Sequence, residues 1–405
     1  MLYSAYEMQK SMLAGASAMA DFSAELLSNP ANPFAYFGGG QIMSSALEVF
    51  AHAAAPRGKP EFGLHTTTID GKSVAVTEEI VLRKPFGQFK RFVRAGVTGG
   101  PKLLIVAPMS GHYATLLRGT VERMLPVADV YITAWRDAKL VPLSDGTFDL
   151  DDYVDYLIEF MEKLGPGGHM LAVCQPSVPC YAAACLMSAD KNPCRPKTLT
   201  MMGGPVDTRK APTSVNTLAT ERPHSWFSQN VIATIPAQYP GAGRKVYPGF
   251  LQLAGFMSMN LGSHMMSHYE MFKHLVQGED LEAEQTKDFY EEYRSVCDMT
   301  AEFYLQTIDV VFQDHALPKG EMLHRGRRVD PAAITDIAIL AIEGEKDDIS
   351  GLGQTKAALD IATSLPADKK RYYMAEGAGH YGIFNGSKWR TKIAPVLEEW
   401  IAAHG

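Results

Sequence analysis

At 405 residues the chain is longer than one hydrophobic core usually supports, so we expect one large domain with a sizeable insertion, or two domains. The formal net charge of −7 argues against a nucleic-acid-binding surface. Five cysteines, an odd number without metal-ligand spacing, are typical of a reducing cytoplasm, and no uninterrupted apolar run approaches the roughly 18 residues of a membrane span.

The first 60 residues are predicted to form an N-terminal pair of helices, at residues 3–28 and 40–53, with a break at 29–33. Charged residues are spread through the apolar pattern of the first helix. A secretory signal instead has a charged end followed by an apolar stretch, so the pattern favours a cytoplasmic protein. Such amphipathic helices can pack on the main domain, form a homodimer contact or lie against an apolar surface.

Short apolar runs then indicate a sheet of the α/β class. A two-residue apolar period predicts antiparallel strands at one edge of this sheet, at residues 65–70, 73–83 and 90–95. Further runs predict strands at 102–107, 129–134, 168–173 and 198–202. Helical patterns alternate with these runs, at residues 113–125, 151–164 and, after the third run, as far as 188. This alternation predicts a mostly parallel sheet with helices on both faces.

The alternation stops over residues 206–333, which contain irregular Pro/Gly/Tyr sequence, a Met-rich and aromatic segment, and a charged helical pattern at about 280–313. We interpret residues 206–333 as a cap, or lid, inserted into a core formed by residues 61–205 and 334–405. The second part of the core is predicted to contain strands at 336–342 and 370–374 and helices at 353–364 and 387–403.

The strand predicted at 168–173 ends abruptly at Cys174, and Pro176 and an Ala-rich helix follow. Pro176 suits the first helical position, which needs no backbone N–H. A side chain at such a strand–turn–helix junction stands above the sheet at the positive end of a helix, which favours a reactive thiolate. The pattern resembles the nucleophile elbow of α/β-hydrolases, with Cys174 for serine and without the glycines of G-x-S-x-G. Ser177, the alternative nucleophile, lies one turn deeper in the helix.

An acid and a histidine follow the later strands in the chain order that an α/β-hydrolase requires. Asp347 follows the first of the two late strands, and His380 lies in a Gly-rich loop after the second. Cys174 would attack an acyl carbon, His380 would accept the thiol proton, and Asp347 would fix the imidazole tautomer. Asp348 is the alternative acid, and His112 is the alternative base.

Two backbone N–H groups are expected to stabilise the oxyanion. One belongs to Gln175, the residue after the nucleophile. The other belongs to Met109 or Ser110, in the loop after the strand at 102–107.

The cap is expected to contact an apolar substrate through Phe256, Met257 and Met266, because a Met-rich surface adapts to variable ligands. For any single methionine, filling a helical core is the simpler interpretation. No histidine or cysteine cluster has metal-ligand spacing, so no metal is predicted.

Four motifs together resemble the intracellular polyhydroxyalkanoate depolymerases, which degrade poly(3-hydroxybutyrate) with a cysteine in a lipase-like box. The resemblance extends over nearly the whole chain. The motifs lie at residues 132–138, 173–179, 202–207 and 343–349.

The resemblance implies an α/β-hydrolase that acts on stored polyester or its hydroxyacid oligomers at the granule surface, without a metal or organic cofactor. The family's triad falls on Cys174, Asp347 and His380. Related polyester synthases carry their cysteine in a G-x-C-x-G-G setting whose glycines this chain lacks, which favours degradation over synthesis. The alternatives are an acyl transferase of the synthase or thiolysis type, and a non-catalytic granule-associated protein.

Overall fold

A computed structural model describes residues 2–29, 31, 39–259 and 261–405, except for the side chain of residue 263. The break predicted at residues 29–33 therefore lies outside the described residues, apart from residues 29 and 31.

Strands from both parts of the predicted core form one mixed sheet. The strands of the described residues are β1 (Thr66–Ile69), β2 (Lys72–Arg83), β3 (Gly87–Arg94), β4 (Lys102–Val106), β5 (Asp129–Trp135), β6 (Gly168–Val173), β7 (Thr198–Met202), β8 (Ala233–Thr234), β9 (Lys245–Tyr247), β10 (Met299–Thr300), β11 (Leu323–His324), β12 (Arg327–Arg328), β13 (Ala338–Gly344) and β14 (Lys370–Ala375). The nine-stranded sheet has the spatial order β1-β2-β3-β5-β4-β6-β7-β13-β14. Pairing is antiparallel from β1 to β5 and parallel from β5 to β14, as the sequence patterns predict.

Helices fill the connections between these strands. They are α1 (Leu2–Ser28), α2 (Gly40–Ala54), α3 (Arg118–Met124), α4 (Leu150–Leu164), α5 (Ser177–Ala189), α6 (Ser214–Glu221), α7 (His224–Asn230), α8 (Gly249–Met259), α9 (Leu261–Gln277), α10 (Asp280–Tyr293), α11 (Ala301–Thr307), α12 (Ala316–Lys319), α13 (Ala357–Ile361), α14 (Gly386–Lys388) and α15 (Ala394–His404).

The centre of the sheet is the core of the molecule. Every residue of β6, β7 and β13 is buried, which is typical of parallel strands covered on both faces. Helix α5 packs against α4, β6 and β7, and α15 packs against β7 and β13. A mainly parallel sheet with flanking helices, and a sharp turn from β6 into α5, is the α/β-hydrolase fold.

The segment between β7 and β13 differs from its prediction in one helix. The helix expected at 280–313 is two helices, because residues 294–300 leave the helical path to pair elsewhere. Val296 forms an antiparallel bridge with His112, and β10 pairs with β9. Helix α11 then continues into a π-helical segment, Ile308–Gln313.

Two helices of the second core part are shorter than predicted. The helix expected at 353–364 covers only α13, because the N–H groups of Gly353, Thr355 and Lys356 donate to the Glu343 carboxylate. The helix expected at 387–403 is divided into α14, a π-helical segment and α15. Pro395, which has no N–H to donate, lies at the start of α15 and accounts for the irregularity.

The N-terminal helices α1 and α2 pack against each other, and α2 packs against α9. Serine hydroxyls tie the two helices: Ser17 donates to the Ala51 carbonyl and Ser44 to the Ala24 carbonyl. At the start of α1 the Tyr3 hydroxyl donates to the buried Asp298 carboxylate at 2.6 Å. Helix α1 is thereby linked to the segment between β7 and β13.

Helix α1 turns an apolar stripe toward solvent. At 3.6 residues per turn the stripe's large side chains fall within one narrow arc, and all are more than half exposed. They are Met8, Met12, Met19, Phe22 and Leu26. Among the described residues, no helix combines the length and apolar character that crossing a membrane requires.

Candidate active site

Cys174 lies on the turn between β6 and α5 with a left-handed backbone, φ 66°. For a residue other than glycine this conformation costs about 1–2 kcal/mol. Hydrogen bonds hold the turn: the Cys174 N–H donates to the Met202 carbonyl at 2.7 Å, and the Ser177 N–H donates to the Cys174 carbonyl at 3.1 Å. Pro176, with φ −67°, precedes the first helical residue rather than occupying it. Strain held in this way is typical of functional turns.

His380 and Asp347 form a buried ion pair beside this turn. Nδ1 of His380 lies 2.8 Å from Oδ2 of Asp347, and the two side chains are 5% and 0% exposed. The other oxygen of Asp347, Oδ1, accepts from the N–H groups of Ile349 and Ser350 at 2.9 and 2.8 Å. His380 also lies near enough to Cys174 for the two side chains to interact electrostatically. The structure thus brings the three residues together in one row.

The electrostatics of the row favour a protonated imidazole. Burial lowers the pKa of His380, but the neighbouring Cys174 and Asp347 raise it more, so that the pKa lies well above its ordinary value. An imidazolium stabilises the thiolate form of a cysteine beside it.

Two glycines make room for the row. A Cβ on Gly203 would lie 3.1 Å from Oδ2 of Asp347 and 3.2 Å from Cε1 of His380. A Cβ on Gly204 would lie 1.9 Å from Oγ of Ser177 and 2.9 Å from the Cys174 carbonyl oxygen. The motif at 202–207 therefore owes its glycines to the close approach of the elbow and the acid–base pair.

The loop that carries Asp347 is fixed from below by Glu343, a buried residue of β13. Its carboxylate accepts from the backbone N–H groups of Gly353, Thr355 and Lys356 and from the Tyr372 hydroxyl. These contacts close the loop between β13 and α13 over the acid, so Glu343 positions Asp347 without touching it.

The alternative residues have different surroundings. Ser177 is fully buried in the first turn of α5. Asp348 is exposed, and the His380 imidazole contacts its neighbour Asp347 instead. His112 is buried with Nε2 2.9 Å from the Tyr293 carbonyl oxygen, and burial lowers its pKa to about 4. A neutral imidazole held by a carbonyl has no carboxylate to orient it as a base.

The predicted oxyanion donors are arranged differently from expectation. The Met109 N–H donates to Oε1 of Gln175 at 2.9 Å, so this donor is occupied by a side chain of the protein. The Gln175 side chain reaches back to the loop after β4 because it directly follows the nucleophile. Ser110 and Gln175 both line the cavity described next.

A cavity of about 390 Å³ opens over Cys174 and His380. This volume lies within the roughly 300–1,000 Å³ range of small-molecule sites. Most of the lining is apolar and comes from the segment between β7 and β13, with Leu218, Phe227, Tyr304 and Phe312 among the side chains. The segment therefore forms one wall of the cavity, and the carboxyl ends of the strands form the other.

The three cap residues predicted to contact substrate lie in different surroundings. Phe256 lines the cavity. Met257 is half-buried on the same helix but does not line it, and Met266 is exposed on α9, beside a different groove. Helix α9 packs mainly against α2 and α10, so a sequence segment rich in methionine is distributed over several surfaces.

Two polar residues of the cavity wall, Gln252 and Thr307, were not predicted from the sequence. Neither belongs to a recognisable motif, and each lies far along the chain from Cys174. No signal in a single sequence indicates that they face the same cavity.

Metal-binding side chains are not clustered in the described part of the chain. No group of three or more His, Cys, Asp or Glu residues there is arranged to hold a metal ion. The five cysteines are all free thiols.

Comparisons with known proteins found solved structures of low similarity and one family model. Similar solved structures include a monoacylglycerol lipase from Paleococcus ferrophilus (TM-score 0.44, 13% identity, 76% of this chain and 97% of that chain). They also include a thermophilic esterase from Thermogutta terrifontis (0.41, 14%, 84% and 98%) and a naproxen esterase from Bacillus subtilis (0.42, 13%, 80% and 92%). No curated protein matches the chain in sequence.

Residues 203–405 match a family model described as the C-terminus of PHB de-polymerase. The match begins at the glycine that faces the acid–base pair and includes the loops of Asp347 and His380. It covers half of the chain, and the chain therefore belongs to the PHB depolymerase C-terminal family.

Proposed function

We propose that the chain hydrolyses stored polyester of the poly(3-hydroxybutyrate) type inside the cell, with Cys174 as nucleophile, His380 as general base and acid, and Asp347 as the orienting acid. The products are 3-hydroxyacid oligomers or monomers. The observation that carries the proposal is the grouping of these three residues, with a hydrogen bond between Asp347 and His380, at the end of an apolar cavity in a chain of this family.

The first half-reaction transfers an acyl group to sulfur. The Cys174 thiolate adds to the ester carbonyl carbon, forming a C–S bond and moving an electron pair onto the carbonyl oxygen. As this pair returns, the C–O bond to the alcohol end of the polymer breaks. The His380 imidazolium, which received the thiol proton, donates it to the leaving alkoxide. A thioester on Cys174 remains.

The second half-reaction consumes water. His380 takes a proton from a water molecule as its oxygen adds to the thioester carbonyl, and the C–S bond then breaks. The carboxylic acid end leaves, and Cys174 and His380 return to their starting pair. Asp347 holds Nδ1 of His380 throughout, so that Nε2 faces the sulfur and the imidazolium is stabilised.

The oxyanion requires donors that the resting site only partly offers. In the proposal, substrate binding turns the Gln175 side chain away from the Met109 N–H, which then joins the Gln175 N–H at the developing charge. Oε1 of Gln175 accepts a hydrogen bond from the Met109 N–H at 2.9 Å in the resting site. The carbonyl oxygen of the substrate takes the place of Oε1 as the acceptor of this hydrogen bond.

Product analysis on amorphous polymer tests the proposal. Wild type, Cys174→Ser and Cys174→Ala are incubated with polymer, each with and without coenzyme A. We expect wild type to release hydroxyacids in both conditions and Cys174→Ala to release none. Acyl-coenzyme A as the sole product would indicate a transferase, and no product from wild type would favour a granule-coating protein. Full turnover by Cys174→Ala would exclude this nucleophile.

The exposed stripe of α1 supports the granule association. Its arc contains no charged side chain, so it suits a neutral, apolar surface such as amorphous polyester better than a charged partner. We expect Met12→Glu with Met19→Glu to weaken co-sedimentation with polymer while leaving the hydrolysis of a soluble ester intact. A homodimer that dissociates in the same variant, with polymer binding retained, would identify the stripe as a contact between two copies.

A further inference from the structure

The cavity wall contains two buried polar groups without partners. Gln252, on α8, is 6% exposed, and Thr307, at the end of α11, is 7% exposed. Among the described residues, neither Nε2 of Gln252 nor Oγ1 of Thr307 has a hydrogen-bond partner. Both residues line the cavity that contains Cys174 and His380.

Such groups are costly in a folded protein. A buried donor left unsatisfied costs about 1–3 kcal/mol, and its presence calls for an explanation. A helical threonine usually donates to the carbonyl three or four residues earlier, but the Thr307 hydroxyl has no such bond. The helix changes to a π-helical segment at the next residue, Ile308, and such segments are frequent at functional sites.

Gln252 is held in place by the loop that follows β4. Gly111, at φ 91°, approaches so closely that a Cβ there would lie 2.8 Å from Cδ and Oε1 of Gln252. The absence of a side chain at 111 therefore leaves room for the carboxamide. Ser110, the residue before Gly111, also lines the cavity.

The chemistry of the wall matches a chain of esters. Two unpartnered donors in a mostly apolar lining call for a ligand that offers acceptors at intervals along an apolar backbone. A poly(3-hydroxyalkanoate) has one ester carbonyl per repeat and no donor except at its hydroxyl end. A fatty acyl ester of the same length offers a single carbonyl, which the reaction at Cys174 uses.

We propose that Gln252 and Thr307 are carbonyl-binding subsites for the repeat units that flank the ester under attack. Resting on the polyester hydrolysis proposed above, this assigns selectivity for polyester over single esters to two donors of the cap. A long alkyl ester would leave both donors buried and unpaired, and sites of this kind reject ligands that lack the acceptor.

The test compares two soluble substrates of matched length: the methyl ester of a 3-hydroxybutyrate trimer, which contains three ester groups, and an alkyl butyrate with methylene groups in place of two of them. Wild type, Gln252→Leu and Thr307→Val are assayed for kcat/KM on both. Each substitution should lower the ratio of trimer to alkyl butyrate activity about tenfold, the loss of one buried hydrogen bond. Thr307→Ser, which keeps the hydroxyl, should retain the wild-type ratio.

Thermal unfolding distinguishes a carbonyl-binding role of Gln252 and Thr307 from a packing role. Replacing an unpartnered buried donor with an apolar group should maintain or raise the melting temperature of Gln252→Leu. An unchanged substrate ratio with a lowered melting temperature would overturn the subsites while leaving polyester hydrolysis standing. If wild type hydrolyses the alkyl butyrate but not the trimer, the proposed function and the subsites fall together.

Discussion

Replacing Asp347 with asparagine should lower kcat by about 10⁴ without unfolding the chain. Oδ1 of Asp347 accepts from two backbone N–H groups, those of Ile349 and Ser350, so the carbonyl oxygen of an asparagine must face them. Its NH₂ group then points at Nδ1 of His380, where Oδ2 of Asp347 lies now at 2.8 Å. A donor at that position forces the imidazole proton onto Nε2, the wrong tautomer for accepting the thiol proton.

The magnitude follows from the tautomer. An amide at the acid of a hydrolase triad costs about 10⁴ in kcat while geometry is retained, or about 5 kcal/mol of transition-state stabilisation. Since the asparagine keeps both loop hydrogen bonds, we expect the melting temperature to change little. The pKa of His380 should fall when the carboxylate is removed, because Asp347 is one of the groups that raise it.

The assay measures kcat and KM on a soluble trimer for wild type, Asp347→Asn and Asp348→Asn, with melting temperatures in parallel. Asp348 is the adjacent, exposed carboxylate, and its variant should stay within about twofold of wild type, as for most surface substitutions. A small loss of kcat in Asp347→Asn together with a large loss in Asp348→Asn would refute the assignment of Asp347 as the acid that orients His380. Loss of activity through unfolding of Asp347→Asn would refute the claim about its loop contacts.

Three further outcomes are expected. Iodoacetamide near neutral pH should alkylate Cys174 before any buried cysteine and abolish activity in step, and peptide mapping that finds another thiol labelled as activity disappears would contradict this. Gly204→Ala should lower the free energy of unfolding by about 1–3 kcal/mol, because its Cβ would lie 1.9 Å from Oγ of Ser177. Gly15→Ala, on exposed α1 with no atom within 4 Å of the added Cβ, should instead raise it by about 0.5–1 kcal/mol, and chemical denaturation of the pair checks both. Burial and a neighbouring carboxylate raise the pKa of Asp298 from 3.8 to about 6. The folded chain therefore binds the Asp298 proton more tightly than the unfolded chain does, and the contribution of this group to stability falls as pH rises from about 4 to 6. The difference in melting temperature between wild type and Asp298→Asn should therefore decrease over this pH range. A difference between the two that rises with pH would contradict the sign.

The local sequence determined most of the sheet and the turn at Cys174. Short, largely apolar runs bounded by turn residues are typical of strands buried on both faces, and β4, β6, β7 and β13 were predicted from such runs. The sharp turn at Cys174 could be predicted because an apolar strand ends two residues before a proline, and an Ala-rich helical segment follows directly. The helix expected at 280–313 was wrong because pairing of residues 296 and 299–300 with distant segments outweighs helical propensity.

Only the tertiary structure decided between neighbouring or equivalent side chains. Asp347 and Asp348 have the same chemistry, and which of them meets His380 depends on a loop closed by Glu343. The engagement of the Met109 N–H by Gln175, and the presence of Gln252 and Thr307 in the cavity wall, depend on how the segment between β7 and β13 packs over the sheet. Periodicity reports which face of an element is buried, because burial recurs along the chain. Periodicity does not indicate which distant element packs on that face, and the cavity is formed by contacts between elements that are distant in the sequence.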